Sequence, residues 1–315
     1  MSEFVYPLQG KRVWVAGHTG LVGAAVVRRL AREDCEILTV GHGEVDLTRQ
    51  AEVEAWLQKE DLDAIVLAAG RVGGILVNAS EPAEFIYDNL MIAANVIGAA
   101  NRVGVERLLY LGSSCIYPRL APQPITEDAL LTGPLEPTNE AYAIAKIAGI
   151  KLCQAYRQQY RRDYVSAMPT NLYGPHDNFD LRTSHVLPAL MRKAHEAKRT
   201  GLDEMTIWGT GAPRREFLHV DDCADALVHI LQVYSDPDPI NVGSGSDLTI
   251  MELAAAIAKA VGFNGEIRTD PSKPDGMPRK LMSGARLAAL GWKPRIGLEQ
   301  GLRETYEWYQ LNYAD

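Results

Sequence analysis

The sequence has few cysteines and no long apolar run. The cysteines show no CxxC pair and no spacing typical of a metal site, so we expect a reducing cytoplasm and no metal. Apolar stretches end well before the roughly 18 residues that a membrane span needs. Met1–Gly10 lacks the apolar core of a signal peptide, and we expect none. The four cysteines are Cys35, Cys115, Cys153 and Cys223.

An excess of positive charge is also missing. The net charge of −8 argues against nucleic acid as a general partner. The sequence contains no internal repeat and no low-complexity segment. Its 315 residues, 47% hydrophobic and 23% charged, are typical of a globular protein with one or two domains.

Short β-branched runs alternate with helical patterns through the first half of the chain. This alternation predicts an α/β fold with a doubly wound parallel sheet of the Rossmann type. Ligands of such sheets bind beyond the carboxyl ends of the strands, where Gly17, Gly70, Ser113 and Asn171 are expected. The predicted strands are 12–16, 36–40, 63–68, 107–111 and 164–168, and the predicted helices are about 21–33, 50–59, 82–103 and a Tyr142 helix ending near 161.

The pattern becomes less regular after residue 171 and richer in Gly and Pro. Segments 169–179, 208–222 and 272–280 look like loops that build a pocket. Helices are expected near 183–199, 222–233, 249–261 and 298–311. We therefore expect a Rossmann domain of residues 1–171, to which about 217–243 return, and a smaller C-terminal α/β substrate domain of 172–216 and 244–315.

A glycine-rich segment, GHTGLVG at 17–23, follows the first strand and opens a helix. Its glycines let the backbone turn tightly and approach a pyrophosphate at the helix N-terminus. A tight turn without a ligand is the alternative.

The position after the second strand lacks the acidic residue that hydrogen-bonds the ribose of NAD. His42 stands there, and Glu44 is the first acidic residue that follows. We therefore predict NADP, with His42, Arg12 and Lys11 as candidate cations.

Two further segments carry chemistry. In YAIAK, Tyr142 and Lys146 share one helix face, and a Lys ammonium beside a phenol favours proton exchange near neutral pH. In GSSCIYP at 112–118, Ser113 can donate a hydrogen bond to the substrate oxygen with which Tyr142 exchanges its proton. Cys115 adds a thiol that a simple reduction does not need, although a buried small hydrophobe is the bland alternative.

The glycine motif, a Ser after the fourth strand and YxxxK together resemble the extended short-chain dehydrogenase/reductase family. Ordered segments at 135–149, 168–179, 184–190, 215–222 and 272–280 narrow the resemblance to members that act on GDP-sugars. It implies conversion of GDP-4-keto-6-deoxy-D-mannose to GDP-L-fucose, by epimerisation at C3 and C5 and NADPH reduction at C4. It also implies a homodimer through the helices near 82–103 and 140–161.

The resemblance implies roles for individual residues. Ser113, Tyr142 and Lys146 form the triad, with Cys115 as base and His185 as acid. Lysine, tryptophan, arginine and aspartate side chains would contact the substrate, although each could instead be exposed or structural; these are Lys193, Trp208, Arg215 and Asp275. The implied cofactor-binding residues are Gly17, His18, Thr19, Gly20, Leu21, Val22, Gly23, His42, Leu111, Gly112, Ser113, Ser114, Tyr142, Lys146, Pro169, Thr170, Asn171, Leu172 and His185.

One position departs from this pattern. Bacterial members carry Arg where this chain has His42, and a mostly neutral His is a weaker phosphate anchor.

Other functions remain open for a protein with the same fold. A dehydratase would use an Asp–Glu pair in place of Ser114 and Cys115, and a 4-epimerase would return the hydride to the sugar. A non-catalytic dinucleotide sensor could lose Tyr142 or Lys146, and both are present.

Overall fold

The structure, a computed structural model, describes residues 4–273 and 275–313. Pro274 of the predicted loop 272–280, and residues 1–3 and 314–315 of the predicted domains, lie outside the described residues. The strands are β1 Arg12–Ala16, β2 Glu36–Leu38, β3 Ala64–Leu67, β4 Arg107–Leu111, β5 Asp163–Pro169, β6 Asn171–Tyr173, β7 Glu204–Trp208, β8 Arg214–His219, β9 Ile240–Val242, β10 Asp247–Thr249, β11 Glu266–Asp270 and β12 Arg279–Lys280. The α-helices are α1 Leu21–Leu30, α2 Gln50–Lys59, α3 Ile75–Ser80, α4 Pro82–Val103, α5 Glu140–Tyr160, α6 Val186–Thr200, α7 Val220–Val233, α8 Ile250–Val261, α9 Ala285–Ala289 and α10 Leu298–Asn312.

A six-stranded parallel sheet organises the first half of the chain. Its strand order is β2-β1-β3-β4-β5-β9, and every neighbouring pair is parallel. Strand β2 lies on one side of β1, and β3, β4, β5 and β9 lie on the other side, so the direction of strand order reverses between β1 and β3. A crevice opens beyond the carboxyl ends of strands at such a reversal. The predicted doubly wound α/β fold is confirmed.

Helices cover both faces of this sheet. Helices α2, α4 and α5 contribute to the apolar core on one face, and α1 and α7 to the core on the other. Strands β3 and β4 are therefore buried along their whole length, as expected for strands without polar alternation. The carboxyl edge of the sheet is then the place where polar side chains can meet a ligand.

The second half builds smaller sheets and a third core. Strand β8 pairs with β6, β10 and β12, while β7 and β11 form a separate parallel pair. Helices α6, α8 and α10 pack together in the third apolar cluster. The chain leaves the six-stranded sheet at Pro169 and enters β6 at Asn171. Two sheets thus meet beside the carboxyl end of β5.

The prediction that 169–179, 208–222 and 272–280 are loops was partly wrong. They contain β6, β8 and β12, of three, six and two residues. These strands are short and flanked by Gly and Pro, so the sequence pattern of turns hid them. Strand β1, helix α2, helix α4 and strand β4 begin and end where the sequence predicted.

Residues 4–273 and 275–313 contain no helix long and apolar enough to cross a membrane. The same residues contain no group of three or more His, Cys, Asp or Glu side chains able to hold a metal ion. All four cysteines are free.

Candidate active site

The glycine-rich turn lies at the crevice between β1 and β3. Gly17 has a φ of +87°, and a Cβ there would lie 2.7 Å from the Cα of Ala69, two residues after the end of β3. A Cβ on Gly23 would lie 2.0 Å from the Gly17 carbonyl oxygen. Helix α1 begins at Leu21 with no side chain capping its N–H groups. These donors and the bare backbone fit the pyrophosphate of a dinucleotide.

Lys146 forms the opposite wall of the crevice. Its side chain is 4% exposed, and Nζ donates a hydrogen bond to the Leu111 carbonyl oxygen at 2.9 Å. Gly70 permits this approach, because a Cβ there would lie 3.3 Å from Nζ. Burial lowers the pKa of Lys146 to about 8.

The expectation that the Lys146 ammonium brings Tyr142 into proton exchange near neutral pH, by lowering the pKa of the phenol, is wrong for this structure. Burial raises the pKa of Tyr142 above its ordinary value, the Cys115 charge raises it further, and a hydrogen bond with Ser113 lowers it only in part. Lys146 Nζ lies 5.9 Å from the centroid of the Tyr142 ring while it bonds the Leu111 carbonyl. Tyr142 is therefore a protonated phenol at neutral pH, which suits a proton donor.

Cys115 lies between three polar side chains. It belongs to a short 3-10 helix that Ser113 caps, with the Cys115 N–H donating to Ser113 Oγ at 3.3 Å. Asn139 Nδ2 donates to Cys115 Sγ at 3.3 Å, and Lys280 Nζ donates to it at 3.5 Å. The thiol thus faces polar partners, which argues against the alternative of an inert buried hydrophobe.

His185 occupies the N-cap position of α6, and its side chain makes no capping hydrogen bond. The residue as a whole is exposed to solvent, yet the neighbouring protein desolvates the imidazole ring. This desolvation lowers the pKa of His185, and the charge of the Lys280 ammonium lowers it further. The preceding loop is held in place where Gly74 N–H donates to the Thr183 carbonyl at 2.9 Å. Lys280 therefore contacts Cys115 and also acts electrostatically on His185.

Four predicted substrate residues line the second half of the cleft. Burial lowers the pKa of Arg215, and among the described residues Arg215 forms no ion pair. Trp208 is 42% exposed, and Lys193 Nζ lies 5.4 Å from its ring centroid. Asp275 is committed to a loop, because its two oxygens accept hydrogen bonds from Thr210 N and Oγ1 at 2.7 and 2.9 Å. The arrangement favours a structural role for Asp275.

The candidate cations for a 2′-phosphate separate into two groups. Arg12 and Lys11 lie at the amino end of β1, away from the crevice, and pair with carboxylates there. His42 follows β2 at the carboxyl edge and is exposed. Hydrogen bonds from Thr48 lower the pKa of the nearby Asp46 carboxyl group, and His42 adds a smaller electrostatic contribution to that shift. Of the three candidates, His42 alone lies on the cofactor side.

The remaining cofactor candidates lie at strand ends along the same edge. Leu111 ends β4, and Gly112 and Ser114 follow it, with Ser114 buried. Pro169 ends β5, and Asn171 Nδ2 donates to the Glu216 carbonyl oxygen at 2.8 Å, so this side chain joins β6 to β8. His18 and Thr19 belong to the glycine turn and Leu172 to β6, and Thr170 lies between β5 and β6.

Sequence reasoning missed two residues of the cleft, Asn139 and Lys280. Both stand in segments that the family resemblance used, at 135–149 and 272–280. No spacing rule links them to Cys115, because Lys280 is 165 residues away along the chain.

Comparison with known proteins identifies relatives over the whole chain. The sequence profile of the NAD dependent epimerase/dehydratase family matches residues 13–243. A GDP-L-fucose synthase of Sinorhizobium fredii is 60% identical over 311 residues, covering 99% of each chain. GDP-L-fucose synthase 1 of Arabidopsis thaliana is 57% identical over 96% of this chain and 94% of its own. A solved GDP-L-fucose synthetase of Naegleria fowleri bound to NADP has a TM-score of 0.91 at 29% identity, covering 99% of this chain and 98% of that one.

Proposed function

This chain belongs to the NAD dependent epimerase/dehydratase family, and we propose that it is a GDP-L-fucose synthase that uses NADPH. Relatives of that name, 52–60% identical and nearly as long, support the proposal. The observation that carries it is that Cys115 contacts Ser113, which also bonds Tyr142, while Lys280 contacts Cys115 and acts electrostatically on His185. A reductase needs only Ser113 and Tyr142, and an epimerase needs a base and an acid as well.

The substrate is GDP-4-keto-6-deoxy-D-mannose. Its C4 ketone acidifies the C–H bonds at C3 and C5, because removal of either proton leaves an enolate with charge on the C4 oxygen. Ser113 and Tyr142 donate hydrogen bonds to that oxygen. The same two donors serve the later reduction, since it also places negative charge there.

Epimerisation requires a proton to leave one face of the sugar and another to arrive on the opposite face. Cys115 takes the proton from C3 or C5 of the sugar: the C–H bond of the sugar breaks and an S–H bond forms at Cys115. His185 in its protonated form delivers a proton to the other face. The lowered pKa of His185 makes this proton easy to give, and the same shift reduces the charged fraction at neutral pH.

Bound NADPH supplies a hydride to C4. Tyr142, held as a phenol, protonates the resulting alkoxide. Lys146 contributes a buried positive charge at the crevice, where its Nζ reaches the edge of β4. His42 is the residue that we assign to the 2′-phosphate, because Arg12 and Lys11 are occupied elsewhere. Arg215 and Lys193 bind the diphosphate, and Trp208 provides a flat wall for the guanine base or the sugar.

The domain division follows from this use of the molecule. Residues 1–171, joined again by about 217–243, form the NADP-binding domain, and 172–216 with 244–315 form the GDP-sugar domain. Helix α7 and strand β9 support the return, because α7 packs on the six-stranded sheet and β9 pairs with β5. The pairing of β6 with β8 is the link between the two parts.

The enzyme works as a cytoplasmic homodimer in which α4 and α5 pair with their copies. Four free cysteines support a reducing compartment. Tyr87 on α4 and Ile144 on α5 are 60% and 42% exposed, which leaves apolar area on both helices. Light scattering of the purified protein should give twice the chain mass; a mass of one chain at micromolar concentration would contradict the dimer.

Coupling between sugar and cofactor tests the proposed function. GDP-4-keto-6-deoxy-D-mannose should oxidise NADPH mole for mole, whereas a 4-epimerase would return the hydride and consume none. The ratio of catalytic efficiencies with NADPH and NADH measures how well His42 selects the phosphate. No NADPH consumption with this substrate would contradict the proposal.

A further inference from the structure

Two residues without an assigned role, Lys280 and Asn139, both donate to the sulfur of Cys115. Lys280 Nζ lies 3.5 Å from Sγ, and Asn139 Nδ2 lies 3.3 Å from it. The donors come from distant parts of the chain, one from β12 and one from the turn before α5. A sulfur that accepts from two donors is better satisfied as a thiolate than as a thiol.

The burial of Lys280 makes its charge effective. The residue is 8% exposed, and among the described residues its ammonium forms no ion pair with a carboxylate. Solvent therefore screens it little. A buried ammonium needs a negative or strongly accepting partner, and the nearest acceptor that it contacts is the sulfur.

Other charged groups also face the thiol. Arg215 from β8 pairs in register with Lys280, and Tyr142 from α5 lies on another side; each interacts electrostatically with Cys115. Glu136, from the segment before α5, faces Arg215 and pairs with Arg119 at 3.3 Å. The three side chains that form hydrogen bonds with Cys115, namely Ser113, Asn139 and Lys280, are neutral or positive, so among the described residues no negative group contacts the sulfur.

Asn139 adds direction to this arrangement. Its Oδ1 is buried and makes no hydrogen bond among the described residues, while its Nδ2 donates a hydrogen bond to the Cys115 sulfur. A buried amide oxygen without a hydrogen bond costs free energy. The amide nevertheless keeps the orientation that directs Nδ2 at the Cys115 sulfur and leaves Oδ1 unpaired among the described residues.

We propose that Lys280 and Asn139 are positioning residues that hold Cys115 as a thiolate, ready to remove the sugar protons. The proposal rests on the proposed epimerase function and names what makes its base competent. When Cys115 takes a proton from C3 or C5, the S–H bond forms and Lys280 loses its anionic partner. The Lys280 ammonium, which acts electrostatically on His185, then favours release of the imidazolium proton to the opposite face.

Alkylation of the resting enzyme tests the proposal without substrate, because iodoacetamide reacts with the thiolate. The rate at Cys115 is read by peptide mass mapping, with Cys115→Ser as the blank. Lys280→Met should slow the reaction at pH 7 by about tenfold or more, because the variant loses the positive charge beside the sulfur. Lys280→Arg should stay close to the parent, and exposed Lys259→Met is the matched control.

Asn139→Ala should slow alkylation as well, by a smaller factor because a neutral donor is lost, and it carries the test if Lys280→Met does not fold. Deuterium exchange at C3 and C5 should fall with alkylation in Lys280→Met and recover as the pH is raised. An unchanged alkylation rate would overturn the proposal. Weakened binding of GDP with unchanged alkylation would instead make Lys280 a phosphate contact. Failure of the proposed function would give a different result, namely no deuterium exchange at C3 and C5 in the parent enzyme.

Discussion

Tyr142 differs most from what its motif predicts. The four-residue spacing predicted that Tyr142 and Lys146 share a helix face, and both lie on α5. It did not reveal that Lys146 would bond the Leu111 carbonyl, or that burial would raise the pKa of Tyr142. Such shifts depend on the surrounding packing, which no local pattern contains.

Replacing Tyr142 by Phe removes the proton donor and leaves the ring. We expect C4 reduction, measured as NADPH oxidation, to fall by about two to four orders of magnitude, the usual worth of a general acid. Tyr313→Phe, which changes an exposed phenol at the chain end, is the matched control. Turnover near the parent rate in Tyr142→Phe would remove this residue from its role.

Asp177 is a buried carboxyl group outside the proposed chemistry. It is 4% exposed, Oδ2 lacks a partner among the described residues, and burial raises the pKa of Asp177 to about 7. A raised folded-state pKa stabilises the fold at low pH, and that contribution is lost as the pH rises from about 4 to 7. Asp177→Asn should therefore raise the melting temperature at pH 8 more than at pH 5. An equal change at both pH values would contradict this account.

The turn from β1 into α1 is the element that the sequence specified best. Its three glycines predicted close backbone approach, and the structure gives the reason at Gly17 and Gly23. Long elements with a clear period, such as α2 and α4, were also predicted to the residue. The short strands β6, β8 and β12 were missed, because they exist through pairing with one another rather than through their own patterns.

Gly23→Ala tests the turn. The new Cβ would collide with the Gly17 carbonyl, so the backbone must open where the pyrophosphate binds. We expect the dissociation constant for NADPH, measured by fluorescence titration, to rise at least about tenfold, the equivalent of 1.4 kcal/mol. Gly284→Ala is the control, because a Cβ there meets nothing within 4 Å. Unchanged NADPH binding by a folded Gly23→Ala protein would argue against a dinucleotide at this turn.

At the scale of the whole molecule, the site exists because two sheets meet. Cys115 and Tyr142 come from the six-stranded half, while Lys280 and Arg215 come from the sheet around β8. Sequence reasoning could name most of these residues through family resemblance. It could not place Lys280 against Cys115, since that contact spans 165 residues and depends on the pairing of β12 with β8.

The central claim is that one cleft both epimerises and reduces, and product analysis in heavy water tests it most directly. The enzyme is incubated in D₂O with GDP-4-keto-6-deoxy-D-mannose and NADPH, and the product is read by NMR. We predict GDP-L-fucose with deuterium at both C3 and C5, and strongly slowed deuterium uptake in Cys115→Ser. A reduced sugar with protium at C3 and C5 and unchanged configuration there would contradict the account.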